Sequence, residues 1–229
     1  MLTLVHAGVV DDMHKTNALK IGIKYDTKPF GFKEGKTIKG FDLDLSKLIV
    51  EKIKKKESLP ELKVFYKKVY PSNREQLLID KDVDMVIATY TINEQRRNSV
   101  GFSKPYFKSR SMIVFRGELK NEEKVGILDG SSTETAVSLA GYTATAYPDY
   151  KILFNDFKEG KILAIASDEA ILEQCVMGDK YKHIAIGDSE EYGVGLPKDD
   201  IQFKKLIDSV LNELKRNGEY DKLYRKWFK

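Results

Sequence analysis

Residues 82–107 read DVDMVIATYTINEQRRNSVGFSKPYF, and the reading of this stretch decides the fold. Val83, Met85, Val86, Ile87 and Ala88 form an apolar run of strand length after the Asp-rich turn at Asp80–Asp82, and the run then turns polar. The strand is predicted to end at Thr89, Tyr90 and Thr91, offering hydroxyls and backbone amides. Asn93, Glu94 and Gln95 suit a helix cap and first turn, which places Arg96 and Arg97 about one turn into a helix whose N-terminus points back at the threonines. A helix N-terminus beside an arginine is an anion site. The alternative reading is an ordinary strand-to-helix turn carrying two solvated arginines.

Composition bounds the function classes. At 229 residues, 41% hydrophobic and 32% charged, the chain is long enough for two small lobes and has neither a disordered composition nor a run long enough to cross a bilayer. The net charge of +4 comes from lysines spread along the whole chain, unlike the clustered footprint of a nucleic-acid binder. Cys175, the sole cysteine, lies in the apolar pattern AILEQCVM, which reads as a buried thiol without a nucleophile motif. His6, His14 and His183 show no metal spacing, and no cofactor is expected. MLTLVHAG ends with small residues at the two positions a signal peptidase reads, so residues 1–18 are expected to be an extension holding a signal-peptide remnant, with residues 9–18 frayed or helical. No cysteine near the start forms a lipobox, so a lipid anchor is not expected.

Taken in order, Ala18–Tyr25 reads as a first strand that delivers Lys24 to its C-terminal end, where open α/β sheets place ligands. Gly40–Leu45, GFDLDL, opens an amphipathic helix to about Lys55, with Asp42 or Asp44 as its cap. Leu62–Val69 is a second strand, and the helix after it carries Arg74, which by composition alone is an exposed arginine paired with a nearby acid. Beyond Phe107, Ser109–Arg116 and Val125–Leu128 are strands, and Gly130-Ser131-Ser132-Thr133 turns into a helix with free amides and hydroxyls facing an anion. That turn lacks the lysine and spacing of a P-loop, which excludes nucleotide binding. Tyr147–Tyr150, YPDY, precedes a helix over Ile152–Phe157. The strand Ile162–Ala166 leads to Asp168, which by local pattern is a helix N-cap with Glu169 beside it. His183–Ile186 is a strand, Tyr192–Pro197 reads YGVGLP, and a helix from Ile201 to about Asn217 precedes a terminal one at Tyr220–Phe228, where Trp227 reads as a packing anchor.

AxxTxTxxxxR followed by FSKPYF, together with GFDLDL, GSST and YGVGLP, resembles the signature of periplasmic amino-acid-binding proteins, the type II solute-binding proteins that feed ABC importers. The resemblance covers roughly residues 19–229 in the right order. It implies an α/β, two-lobe fold in which residues 19–113 and 191–229 form lobe 1, residues 114–190 form lobe 2, and two strands cross between them. It implies that Arg96, with the backbone at Thr89 and Thr91, holds a ligand α-carboxylate from lobe 1, that Ser131 and Ser132 hold it from lobe 2, and that Asp168 pairs with the α-ammonium. Lys24 and Arg74 match the aspartate- and glutamate-binding subfamily, in which they reach the side-chain carboxylate. Tyr150 matches a ligand-facing tyrosine of one acidic-ligand branch, against the reading that its ring packs in the core. Little sequence separates Ser131 from Tyr147, so a helix common in lobe 2 is expected to be reduced.

The implied job is capture of aspartate or glutamate by a monomeric, extracytoplasmic protein that hands it to an ABC permease. Counting Lys24, Arg74 and Arg96 against Asp168 leaves the pocket at about +2. A dicarboxylic amino acid satisfies that excess better than a neutral one, and arginine's fork suits a carboxylate. The alternatives are a binder of glutamine, cysteine or histidine and an arogenate- or prephenate-dehydratase-like enzyme, the latter requiring a carboxylic acid poised as general acid. A sensor module and a surface adhesin are further classes that the same fold serves.

Overall fold

The computed structural model describes residues 8–176 and 180–229. The residues of MLTLVHA, His6 among them, lie outside the described residues, as do 177–179. Helix α1 (Val9–Thr16) buries Val9, Val10 and Met13 and is held at its start by Asp200, whose Oδ2 accepts the Val9 N–H at 2.8 Å. The stretch expected to be frayed or helical is thus a docked helix.

Strand β1 (Ala18–Ile23) follows, then a small antiparallel sheet of β2 (Asp26–Thr27), β3 (Gly31–Glu34) and β4 (Thr37–Lys39). Helix α2 (Phe41–Lys56) buries Phe41, Leu45, Ile49 and Ile53 at four-residue spacing, with Ser46 and Val50 completing the three- and four-residue pattern of one buried face. Strand β5 (Lys63–Lys68), helix α3 (Arg74–Ile79), strand β6 (Met85–Val86), the short helix α4 (Glu94–Arg97) and strand β7 (Gly101–Phe102) complete the first pass through lobe 1. β1 pairs in parallel with β5 and β6, as βαβ connections require. The run Val83–Ala88 yields only two strand residues, because Val83 and Asp84 belong to the turn and Ala88 already bends into the site.

Strand β8 (Phe107–Phe115) carries the chain into lobe 2. There β9 (Lys124–Leu128), α5 (Thr133–Leu139), β10 (Thr143–Tyr147), α6 (Tyr150–Glu159), β11 (Ala164–Asp168) and α7 (Glu169–Cys175) build a second α/β layer of strand order β10-β9-β11-β8. The helix following Ser132 is seven residues long. Strand β12 (Lys182–Tyr192), much longer than the His183–Ile186 segment expected, pairs antiparallel with β8 from Lys182 opposite Phe115 to Tyr192 opposite Phe107, with an irregularity between Ile186 and Ser189. Strand β13 (Gly195–Leu196) then returns to lobe 1 and pairs with β6 and β7. Helices α8 (Ile201–Arg216) and α9 (Glu219–Phe228) pack against α2 and each other.

At the root of the two crossing strands, Phe30, Phe41, Phe107, Tyr192 and Phe228 interlock with ring centroids 5.0 to 6.1 Å apart. Edge-to-face and stacked pairs of this kind add to simple area burial. The crossing strands therefore leave lobe 1 from a rigid base.

Candidate functional site

The site lies where the C-terminal ends of β1 and β6 in lobe 1 face the start of α5 and the end of β11 in lobe 2. A small enclosed pocket there is lined by Lys24, Pro71, Arg74, Thr89, Thr91, Leu128, Ser131, Ser132, Tyr150 and Asp168. Eight of the nine residues expected at the site line this pocket. The ninth, Arg96, stands at its edge and bridges the lobes, donating from Nη1 to the Thr91 carbonyl at 2.8 Å and from Nη2 to the Gly130 carbonyl at 3.2 Å.

The lobe 1 wall depends on one backbone kink. Thr89 has φ of +45°, an unfavourable conformation for a β-branched residue, and it is pinned by Asp42. The buried Asp42 carboxylate accepts the Thr89 N–H at 3.0 Å and the Tyr106 hydroxyl at 3.0 Å. Burial holds its carboxyl up at about 6. Asp42 was expected, with Asp44, as a possible helix cap; neither caps α2, whose N-cap is Gly40 without a side-chain bond. Asp44 instead receives Lys226 and the Trp227 indole, which gives Trp227 the packing role expected of it.

The anion-binding helix N-terminus expected after Thr91 also differs. α4 has only four residues, and the Asn93 side chain takes the Arg96 N–H at 2.8 Å, so the Arg96 side chain, and not a helix end, faces the site. The main-chain N–H groups of Thr91 and Ser132 have no acceptor among the described residues. Two such amides beside a guanidinium form a receptor for an oxyanion.

The other end of the pocket holds the buried charges. Arg74 donates from Nη1 to the carbonyls of Ala88 at 2.7 Å and Thr89 at 3.3 Å, while its Nε has no partner. Its guanidinium lies 3.9 Å from the Tyr90 ring centroid and that of Arg96 lies 5.1 Å from the same ring, so one aromatic ring stabilises two cations. Lys24 donates to Thr89 Oγ1 at 3.2 Å and sits 5.1 Å from the Tyr150 ring centroid. Burial lowers Lys24 to about 8, with Arg74 acting in the same direction, and lowers Arg74 and Arg96 from the usual guanidinium range. The surface-arginine reading of Arg74 is ruled out by its 2% exposure.

Asp168 closes β11 beneath these cations. It stands at the N-cap position of α7 but caps nothing, and its Oδ1 is buried without a partner. The Tyr192 hydroxyl lies beside it, outside hydrogen-bond geometry. Burial pushes Asp168 up to about 6, with Glu190 adding to the rise. Tyr150 packs in the core, its ring stacked on Phe154 and its hydroxyl bonded to Ser167 at 2.6 Å, and it also lines the pocket beside Lys24. Lys24, Arg74, Arg96 and Asp168 have no ion-pair partner within 4.0 Å among the described residues.

Four residues of the site escaped the sequence reading. Asp42 lay in a motif read as a helix cap, and Tyr90 was read only for its hydroxyl at the strand end and not for its ring. Gly130 has φ of +71°, and a Cβ there would come within 2.7 Å of the Ser72 N atom across the cleft. Glu190, in the exposed-looking run DSEEY, reaches back so that its Oε2 accepts from Thr91 Oγ1 at 2.8 Å and Ser132 Oγ at 2.7 Å. No local pattern marks it. Glu190 and Asp42 also change the charge count, since with these two carboxylates behind the pocket wall three cations and three carboxylates lie in and around the site.

Two α/β lobes joined by paired crossing strands, with buried charges converging between them, define a two-lobe binding protein of the type II class. The profile of the bacterial extracellular solute-binding proteins, family 3, matches residues 19–229, and the chain belongs to that family. It is similar to the glutamine-binding protein GlnH of Bacillus subtilis, 31% identical over 91% of this chain and 80% of that protein. It is also similar to the glutamate/aspartate import solute-binding protein of Escherichia coli, 26% identical over 96% of this chain and 79% of that one. Among solved structures, the P235GK mutant of ArgBP from T. maritima superposes with a TM-score of 0.83 at 29% identity, covering 96% of this chain and 98% of that one. The ancestral amino-acid-binding protein AncCDT-1, a precursor of cyclohexadienyl dehydratase, superposes with 0.84 at 25% identity over 97% of this chain and all of that one. Among the described residues no helix is long and apolar enough to cross a membrane.

Proposed function

We propose that this protein captures an acidic amino acid, aspartate or glutamate, between its lobes and presents it to an ABC permease on the outer side of the membrane. One observation carries the acidic choice: Lys24 and Arg74 are both buried in the pocket wall, with no carboxylate among the described residues paired to either. Buried cations without counter-charges are costly, and a ligand carboxylate between them removes that cost. In this reading Arg96 and the amides of Thr91 and Ser132 hold the α-carboxylate, Asp168 holds the α-ammonium, and Lys24 with the free Nε edge of Arg74 holds the side-chain carboxylate. Relatives described as glutamate/aspartate-binding support it.

Glutamine is the second reading. The Bacillus subtilis relative is described as glutamine-binding, and counting the carboxylates of Glu190 and Asp42 cancels the formal positive excess that argues for a charged side chain. Calorimetric titration with L-glutamate, L-aspartate and L-glutamine separates the two. We expect the acidic ligands to bind at least about tenfold more tightly than glutamine, and Arg74→Met to erase that preference. Tighter binding of glutamine by the unaltered protein sinks the acidic reading. Turnover of prephenate by the purified protein would replace binding with acid catalysis, for which Asp168, at about 6, is the group to test.

A further inference from the structure

Glu190 is half-buried on β12, the strand that returns to lobe 1, opposite Ser109 of the outgoing β8. Its Oε2 receives the Thr91 hydroxyl from lobe 1 at 2.8 Å and the Ser132 hydroxyl from lobe 2 at 2.7 Å, and the two hydroxyl oxygens are 3.1 Å apart. A hydroxyl has one proton. If both protons point at the carboxylate, the Thr91 to Ser132 contact has none of its own and the shared acceptor is what joins them. Glu190 does not line the small pocket; it lines a cavity of about 570 Å³ on the far side of Thr91 and Ser132. It therefore acts on the two gripping residues from behind.

We propose that Glu190 is a positioning residue that latches the closed lobes: a hinge-strand carboxylate that ties Thr91 to Ser132 and turns both hydroxyl protons away from the pocket. The consequence for the ligand follows from the proton count. With the hydroxyl protons committed, the α-carboxylate is received by the two free amides and Arg96, while the hydroxyl oxygens present lone pairs. The latch exists only when Thr91 and Ser132 are brought together, so it stabilises closure whatever amino acid is inside. This rests on the cleft being the ligand site, and not on which amino acid fills it.

The test compares unaltered protein with Glu190→Gln and Glu190→Ala, using small-angle scattering without ligand and calorimetry with L-glutamate, L-aspartate and L-glutamine. Loss of two charge-assisted bonds is expected to weaken every ligand that binds, on the order of 10- to 100-fold for Glu190→Ala, glutamine somewhat more than the acidic ligands because a negative charge near Arg96 goes with the latch. The ligand-free radius of gyration should rise, and Glu190→Gln, which keeps an acceptor of the same shape, should fall between. An affinity loss confined to one ligand would make Glu190 a recognition residue and overturn the latch, as would unchanged affinity and radius in the Ala variant. If none of the three amino acids binds the unaltered protein, the acidic and glutamine readings fail, while an unchanged or enlarged ligand-free radius still decides the latch.

Discussion

At the scale of single residues, Asp168 and Gly130 give the sharpest outcomes. Asp168 is held up at about 6 by burial, with Glu190 contributing, so between its ordinary range near 4 and about 6 the folded protein binds the extra proton and the unfolded chain does not. Stability without ligand should therefore rise as pH falls through that window, with Asp42 acting in the same sense. Ligand affinity should fall over the same window, because an α-ammonium needs the ionised carboxylate. Melting curves and titrations from pH 7.5 to 5 check the opposed trends, and Asp168→Asn should flatten the affinity profile and weaken binding by about 100-fold or more. Gly130 is a matter of contact. In Gly130→Ala the new methyl would meet the Ser72 backbone across the cleft and strain a positive φ. We expect a folded protein whose lobes stop short of closure and whose affinity drops about tenfold or more; undiminished affinity by calorimetry would show that this approach is not needed.

At the scale of elements, α2 and the β6 turn are one unit joined by Asp42. Asp42→Ala leaves the Thr89 N–H and the Tyr106 hydroxyl unpartnered in a dry interior, a loss of about 2 kcal/mol or more, which for a chain of this size lowers the melting midpoint by about 5 °C. Differential scanning calorimetry measures it, and ligand affinity should fall too because Thr89 loses its support. This unit also shows what the sequence could and could not disclose. The amphipathic periods of α2 and α8 were legible because three- and four-residue spacing records burial directly. The residues that line the pocket were legible where several short motifs follow one another in a fixed order. Asp42's true partner and Glu190's reach were not, because both bonds join residues 47 or more positions apart. The strand at Met85–Val86 was overestimated because apolarity marks burial, and the chain is buried on past the strand, Ile87 still donating to the Gly22 carbonyl of β1 and Ala88 turning into the kink at Thr89.

At the scale of the whole molecule, α1 belongs to lobe 1, since it docks on β1 and α8 and its start shares Asp200 with the start of α8. Removing residues 1–17 exposes the apolar surface beneath Val9, Val10 and Met13, and we expect a stability loss of about 2 kcal/mol or more at little cost in ligand affinity; equal melting midpoints for the shortened and full chains would contradict the docking. The two crossing strands have a mechanical consequence. Because β8 and β12 are hydrogen-bonded to each other along the crossing and rise from interlocked aromatic rings, they form a ribbon and not two independent tethers. A ribbon flexes readily across its face but resists shear in its own plane and torsion along its length. The lobes are thereby left with essentially one soft coordinate, so a membrane partner touching both lobes at once could read occupancy as a single angle.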